Sequence, residues 1–153
     1  MNFRIFPLIS ALLLSAALSG CDTATQAVDG REAAVPPGKA RLYFYRDAAY
    51  YDGLEWTTVS LNGEAVGASG PGTVFHRDIA PGTYRVEARS DKLYPAQVKM
   101  VAVAPGSTTY IKVEAQPYWG QSGWLWTGNT FIVAVIDPVI AHYQISTLHP
   151  TSG

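Results

Sequence analysis

Hydrophobic and polar residues alternate along short runs from Ala40 onward, and residues typical of turns separate the runs. A two-residue period puts alternate side chains on opposite faces of the chain and predicts β-strands. In the clearest one-sided run, Tyr84, Val86 and Ala88 alternate with charged residues. Residues 131–136 are continuously apolar instead, which predicts a strand buried on both faces.

Turn motifs separate these runs. Asn62-Gly63 predicts a two-residue β-hairpin, because both residues tolerate positive φ. Pro81-Gly82 predicts a type II turn with glycine at the positive-φ position, and a second Pro-Gly pair follows at Pro105-Gly106. Residues 139–148 fit either a last strand or a short helix. The pattern predicts an antiparallel β-sandwich of about seven or eight strands over residues 40–148, with a small β-barrel as the alternative. Residues 149–153 are then a tail.

Residues 116–130 are predicted to be a 15-residue link that carries aromatic residues and glycines. Long links in compact domains are often functional. In one interpretation, its aromatic rings are exposed and stack on envelope sugars, lie against lipid headgroups or anchor a partner protein. In the other, two alternating tryptophans belong to a strand or close one end of the core. The aromatic residues of the link are Tyr118, Trp119, Trp124 and Trp126. A second aromatic group would extend the same patch if the fold brings the two together: Tyr43, Tyr45, Tyr50 and Tyr51.

The first 20 residues have the pattern of a secretory signal. Arg4 precedes an apolar run over residues 5–18, and small residues follow. As a helix the run is about 21 Å long, short of the roughly 30 Å hydrocarbon core of a bilayer, so a permanent span is not expected.

Leu18-Ser19-Gly20-Cys21 ends this leader and resembles the lipobox of bacterial lipoproteins. That resemblance implies a diacylglyceryl group on the Cys21 thiol and cleavage that makes Cys21 the first residue. The alternative is an ordinary signal peptide followed by a buried thiol. Asp22 resembles an inner-membrane retention signal, the alternatives being a solvated linker carboxylate and an outer-membrane location. Residues 21–39 are rich in Ala, Thr, Asp and Pro and are predicted to be a flexible tether.

Charge and cysteine content limit the kinds of partner that we expect for this chain. Eleven Lys and Arg oppose twelve Asp and Glu, and no basic block occurs, so a nucleic acid is not expected as a partner. The chain has one cysteine, which cannot form an internal disulfide and fits lipid modification. The expected partners are a membrane, through the N-terminal lipid, and an envelope protein or glycan.

The residues that usually carry catalysis or bind metals lack the required spacing. His76, His142 and His149 have no spacing suited to a shared metal ion. Ser122 lies in a Gly-Gln-Ser-Gly sequence, but a hydrolase nucleophile needs glycine two positions later, where this chain has Trp124. We therefore expect neither a cofactor nor an enzyme.

Three carboxylates, Asp47, Asp52 and Glu55, lie close together in the sequence. A calcium site would need an ordered series of ligands, and solvated loop charges are the better interpretation.

Several turn and core positions together carry a family resemblance. The domain opens with Lys-Ala-Arg-Leu-Tyr-Phe-Tyr-Arg at 39–46, followed by Leu61-Asn62-Gly63, Val66-Gly67 and Pro-Gly-Thr-Tyr at 81–84. This series resembles bacterial lipoprotein domains of unknown function and is similar to PEGA-type surface β modules over about residues 40–148. The resemblance implies a lipid-anchored β-sandwich facing the periplasm and no settled activity. We expect a non-catalytic interaction or accessory role, or binding of glycan or peptidoglycan through residues 116–130.

Overall fold

The computed structural model of the chain describes residues 33–48, 55–90, 97–119 and 126–153, with residues 117–119 and 126–129 described by their backbone alone. These residues form nine strands and one helix. In chain order they are β1 (Ala40–Tyr45), β2 (Thr57–Leu61), β3 (Glu64–Ser69), β4 (Thr73–Ile79), β5 (Gly82–Ala88), β6 (Val98–Val103), β7 (Thr108–Trp119), β8 (Trp126–Ile136), α1 (Pro138–Ile145) and β9 (His149–Pro150).

The strands form two sheets that pack face to face, which confirms the predicted sandwich. Sheet 1 has the order β8-β7-β1-β4-β9, and sheet 2 has the order β3-β2-β5-β6. The apolar core lies between them, with Leu42, Phe44 and Ile111 from sheet 1 and Val59 and Val86 from sheet 2. The sheets stay separate among the described strands, so the barrel alternative is wrong.

Pairing in sheet 1 is mixed, whereas the sequence predicted antiparallel strands. β1 pairs in parallel with β7, and β4 pairs in parallel with β9. The cause is the path of the chain, because β6 lies in sheet 2 and passes directly into β7 in sheet 1. A strand that arrives from the other sheet can run in either direction.

The two Pro-Gly motifs make these passages between sheets. Pro105-Gly106 joins β6 to β7, with Gly106 at φ 74° and the Ser107 amide donating to the Ala104 carbonyl at 3.1 Å. Pro81-Gly82 joins β4 to β5, but Gly82 has φ 157° instead of the roughly +80° of a type II turn. That predicted turn type is wrong.

The Asn62-Gly63 hairpin is confirmed. Asn62 has φ 52° and Gly63 has φ 87°, the left-handed values that a type I′ turn requires at both positions. The side-chain oxygen of Asn62 also accepts the Arg85 amide at 2.9 Å, which ties the turn to β5.

Strand burial follows the position of each strand in its sheet. β1 is central and is buried on both faces. β8 is an edge strand: Phe131 and Val133 face the core, Ile132 and Ala134 on the other face are only partly buried, and Val135 is 45% exposed. The prediction that residues 131–136 are buried on both faces is therefore wrong. An apolar run alone does not distinguish central from edge strands.

Residues 139–148 resolve into a helix followed by a short turn. The Asp137 side chain accepts the Val139 amide at 2.9 Å, and Pro138 occupies the first turn, where a missing N–H has no cost. α1 packs on the outer face of sheet 1, and residues 149–153, predicted as a tail, begin with β9 beside β4.

The strand directions define two ends of the sandwich. At the entry end, where β1 begins, the Lys39 carbonyl accepts the Gly106 amide at 2.7 Å. At the distal end, β1, β5 and β7 finish and β2, β4 and β8 begin. The connections that follow β1, β5 and β7 therefore all leave from the distal end.

Arg41 fixes the N-terminal segment at the entry end. Its guanidinium makes two bonds to the Asp78 carboxylate, at 2.7 and 2.8 Å, and donates a third to the Ala33 carbonyl. The Arg41 side chain is 4% exposed and that of Asp78 is 24% exposed. These hydrogen bonds hold the pKa of the Asp78 carboxyl below its usual value of 3.8.

We expect Asp78→Asn to lower the free energy of unfolding at pH 7 by about 2 kcal/mol, since one charge-assisted bond is lost in a partly solvated site. The lowered pKa keeps Asp78 ionised in the folded protein at pH values where the unfolded chain takes up a proton. Its contribution is thus complete above about pH 4 and is lost as pH falls through the lowered pKa. Urea unfolding at pH 7 and pH 3 measures this: the variant should lose less stability on acidification than the parent chain, and equal losses would contradict the assignment.

Candidate functional site

A cleft of about 390 Å³ opens at the distal end, between the end of β5, the start of β2 and strand β8. This volume lies near the lower limit of small-molecule pockets, about 300–1,000 Å³. Its lining combines two aromatic rings with several polar side chains: Glu55, Trp56, Thr57, Thr58, Arg89, Ser90 and Phe131.

Trp56 is the exposed aromatic ring of the cleft, with 58% of its surface accessible to solvent. A Cβ added at Gly70 would lie 2.5 Å from the indole ring, so the ring lies directly against the Gly70 backbone. This close approach needs glycine at position 70. Part of the indole thus rests on the Gly70 backbone, and more than half of the Trp56 surface stays accessible.

Two hydroxyl side chains bond to the backbone at the floor of the cleft, one between the two sheets and one within sheet 2. The Ser90 hydroxyl accepts the Phe131 amide at 2.8 Å and lies 3.3 Å from the Phe131 carbonyl. Ser90 follows β5 in sheet 2 and Phe131 belongs to the β8 edge of sheet 1, so this contact closes the side of the sandwich. The Thr57 hydroxyl donates to the Arg89 carbonyl. The cleft is therefore built on a fixed backbone.

Arg46 lies beneath the cleft and is completely buried. Its Nη1 donates to the Glu55 carbonyl at 2.7 Å, and its guanidinium carbon lies 5.1 Å from the centre of the Phe131 ring. Both partners line the cleft. Arg46 thus supports the segment that carries Trp56 and the ring that forms the floor.

The chemistry of the cleft suits recognition of a polar ligand that has one flat face. The Trp56 indole provides an apolar surface, while Arg89, which is exposed, and the Thr58 hydroxyl provide hydrogen-bond donors beside it. Sugars and peptide groups combine such faces and polar edges.

The outer face of sheet 1 carries a separate aromatic cluster under α1. Tyr43 and Tyr110 stack at 5.3 Å, and the Tyr110 hydroxyl lies 3.0 Å from His142 Nε2. The Tyr45 hydroxyl donates to Gln144 Oε1 at 2.7 Å, and burial raises the pKa of Tyr45 to about 12. Tyr43 and Tyr45 are both buried, so these two residues of the second aromatic group do not extend an exposed patch.

The histidines and carboxylates of the sequence do not come together in the described part of the chain. His76 lies 5.4 Å from the Tyr43 ring, His142 contacts Tyr110, and His149 begins β9. The Asp47 carboxylate pairs with Lys112 at 2.6 Å. No cluster of three His, Cys, Asp or Glu residues with metal-binding geometry occurs among the residues described, and Asp52 lies outside them.

The aromatic segment is shorter than the sequence predicted. β7 continues to Trp119 and β8 begins at Trp126, so only residues 120–125 separate the strands and the 15-residue link is wrong. Trp119 and Trp126 face each other in the register, and the register shifts between Pro117 and Trp119, where Tyr118 lies opposite two residues of β8, 127 and 128. Aromatic residues favour extended strands, which explains the longer hairpin.

Several predicted residues lie outside what the structure describes: Cys21, Asp22, Tyr50, Tyr51, Ser122 and Trp124. The side chains of Tyr118, Trp119 and Trp126 also lie outside it. Binding by these aromatic residues stays a prediction. The backbone of their hairpin joins the cleft directly, because β8 continues from Trp126 to Phe131.

Sequence reasoning missed Trp56 and Arg89. One signal was available: each residue adjoins a run of alternating residues that the structure identifies as β2 or β5, so each lies at a strand end. The sequence did not predict that Trp56 and Arg89 lie close together, because this depends on how Thr58 pairs across the sheet with the residues that follow β5.

Comparisons with known proteins identify a family and no activity. Residues 36–124, more than half of the chain, match a family described as "Protein of unknown function (DUF2846)". Searches of curated proteins and of solved structures found no significant match. In the described part of the chain, α1 is too short to span a bilayer and no other helix occurs.

Proposed function

The chain belongs to the DUF2846 family, whose description names no activity, and we therefore propose a function from geometry and sequence. The protein is a lipid-anchored interaction module of the bacterial cell envelope, which acts by binding rather than by catalysis. Its binding surface is the cleft at the distal end, and it needs no cofactor.

The observation that carries this proposal is the exposed Trp56 ring held against Gly70. Ordering a mobile side chain on binding costs about 0.5–1.5 kcal/mol, and a ring that already rests on the backbone reduces that cost. Tryptophan is also among the residues that contribute most to binding energy at interfaces. A half-exposed, positioned indole beside hydrogen-bond donors is therefore suited to recognition.

Anchoring is supported by the sequence and by the path of the chain. Leu18-Ser19-Gly20-Cys21 supports lipid attachment at Cys21, and Asp22 favours the inner membrane over the outer one. Arg41 holds Ala33 at the entry end. A lipid at Cys21 would thus leave the cleft, at the other end, directed toward the periplasm.

Glycan or peptidoglycan is the second candidate ligand, and the cleft chemistry favours it. The C–H faces of a sugar ring pack on an indole, and its hydroxyls bond to groups such as the Arg89 guanidinium and the Thr58 hydroxyl. The rings of residues 116–130 would extend that surface along the hairpin from Phe131. A protein partner remains the first candidate.

We expect Trp56→Ala to weaken binding to the envelope ligand by at least about tenfold, as loss of a central aromatic contact does. Met100→Ala is the matched control, because Met100 is 62% exposed on the outer face of sheet 2, away from the cleft. Co-sedimentation with purified peptidoglycan sacculi measures glycan binding, and cross-linking in intact cells measures a protein partner.

The two measurements separate the candidates. Trp56-dependent co-sedimentation assigns the ligand to glycan, and a Trp56-dependent cross-link without co-sedimentation assigns it to protein. If Trp56→Ala behaves like Met100→Ala in both, the cleft is not the binding surface.

A further inference from the structure

Helix α1 has apolar residues on two opposite sides. Ala141 and Ile145 are buried against sheet 1. On the outward side, Val139 is 80% exposed, Ile140 54% and Tyr143 83%. Val139 and Tyr143 are four residues apart and so adjoin on the helix surface. An apolar side of a helix normally packs against the protein, and α1 has its outward apolar side open in the described structure.

The sheet side of α1 is fixed by polar bonds as well as by packing. His142 contacts the Tyr110 hydroxyl at 3.0 Å, and Gln144 accepts the Tyr45 hydroxyl at 2.7 Å. These two residues flank the buried side, so rotating the helix to hide its outward residues would break both contacts. The outward apolar side is therefore a constant feature of the folded domain.

The outward side of α1 lies on the same face of the domain as the N-terminal segment. α1 begins directly after β8 reaches the entry end, and it lies on the outer face of sheet 1. Arg41 projects from that same face and holds the Ala33 carbonyl, with Asp78 beside it. The chain that leads back to Cys21 thus leaves from the face and the end where α1 starts.

We propose that Val139, Ile140 and Tyr143, the outward side of α1, form a membrane-contact surface that docks on the bilayer carrying the Cys21 lipid. The proposal rests on the lipid anchor of the proposed function. The outward side then lies in the interfacial region of the bilayer, where tyrosine is favoured. The cleft is lined by sheet 2 and the β8 edge, so it lies off this contact face and stays accessible.

The length of the intervening chain makes this contact accessible. Cys21 and Ala33 are 12 residues apart, so even a fully extended chain reaches at most about 43 Å. β7 alone, with 12 residues, spans about 40 Å. The domain is thus held within about one of its own lengths from the bilayer. Such a tether gives the domain a high effective concentration at the bilayer, so a small apolar surface is enough to keep it in contact with the membrane.

The charges at this end do not favour a particular lipid headgroup. Lys39 and Asp137 are exposed and opposite in sign, and Arg41 is paired with Asp78. The contact is therefore apolar, and we expect it to be independent of anionic lipid.

Cysteine protection tests the proposal in the full chain, purified from membranes and reconstituted in phosphatidylcholine vesicles. With Cys21 acylated, Tyr143→Cys adds the single reactive thiol, and Met100→Cys is the matched control on the opposite sheet. We expect the thiol at position 143 to react at least about tenfold more slowly with a membrane-impermeant maleimide than the thiol at position 100. The rates should become equal in detergent and stay unchanged when anionic phosphatidylglycerol is added. Adding Val139→Asp should restore the reaction at position 143.

Each other outcome overturns the proposal and identifies the cause. Equal rates while the protein stays on the vesicles exclude membrane contact by α1 and leave the anchor intact. Protein that leaves the vesicles contradicts the anchor itself. If the thiol at position 143 is protected in native membranes but not in vesicles, the outward side of α1 contacts a partner protein. If its protection is lost when the protein is diluted tenfold in the vesicles, that side contacts a second copy of the chain.

Discussion

Replacing Arg46 with alanine is expected to lower the free energy of unfolding by about 4 kcal/mol and to abolish binding at the cleft. The change removes a large, completely buried side chain, its bond to the Glu55 carbonyl and its contact with the Phe131 ring. A cation desolvated over an aromatic ring contributes about 2 kcal/mol of this. Urea unfolding measures the free energy, and co-sedimentation or cross-linking measures binding.

Arg89→Ala is the matched control, because Arg89 lines the same cleft but is exposed. It should change stability by less than about 0.5 kcal/mol, as surface substitutions usually do. Arg46→Met separates packing from polar bonding, since methionine keeps most of the buried volume. If Arg46→Met and Arg46→Ala are equally destabilised, hydrogen bonding dominates. If Arg46→Ala is as stable as Arg89→Ala, Arg46 does not support the cleft.

Features set by neighbouring residues were predictable from the sequence. The Asn62-Gly63 hairpin follows from two residues that tolerate positive φ. The one-sided pattern of β5 likewise places Val86 and Ala88 in the core. In each case the signal and the structure it specifies lie within a few residues of each other.

Features set by distant partners were not predictable. The parallel pairing of β1 with β7 depends on which strand arrives from sheet 2, and no local residue specifies that choice. The burial of Tyr43 and Tyr45 depends on α1, about 100 residues later, whose Gln144 and His142 bond to the tyrosine cluster. In the sequence, aromatic residues on an outer sheet face that a helix covers therefore look the same as aromatic residues of an exposed patch.

The candidate site shows the same limit. Trp56, Ser90 and Phe131 come from three separate parts of the chain and meet only because the edges of the two sheets meet. The sequence did direct attention to the adjoining hairpin, since Trp119 and Trp126 are register partners there. The predicted link adjoins the cleft, but its predicted length was wrong.

Replacing Cys21 with serine is expected to abolish incorporation of labelled fatty acid and to release the exported protein from the membrane fraction. Burial of acyl chains contributes about 0.8 kcal/mol per CH₂, so two chains hold a protein firmly and none leaves only the weak contact through α1. Metabolic labelling and fractionation of cells that express the full chain measure both effects.

Asp22→Ala is the matched control, because it changes the neighbouring residue and keeps the thiol. It should retain the fatty acid, and it should move protein from the inner to the outer membrane if Asp22 acts as a retention signal. Labelling that persists in Cys21→Ser would contradict the anchor, because this cysteine is the only one in the chain. If Cys21→Ser loses the label but stays in the membrane fraction, α1 and the envelope ligand hold the protein without the lipid. We do not expect this result, because the apolar area of Val139, Ile140 and Tyr143 is small. Without the tether, these residues are no longer concentrated at the bilayer.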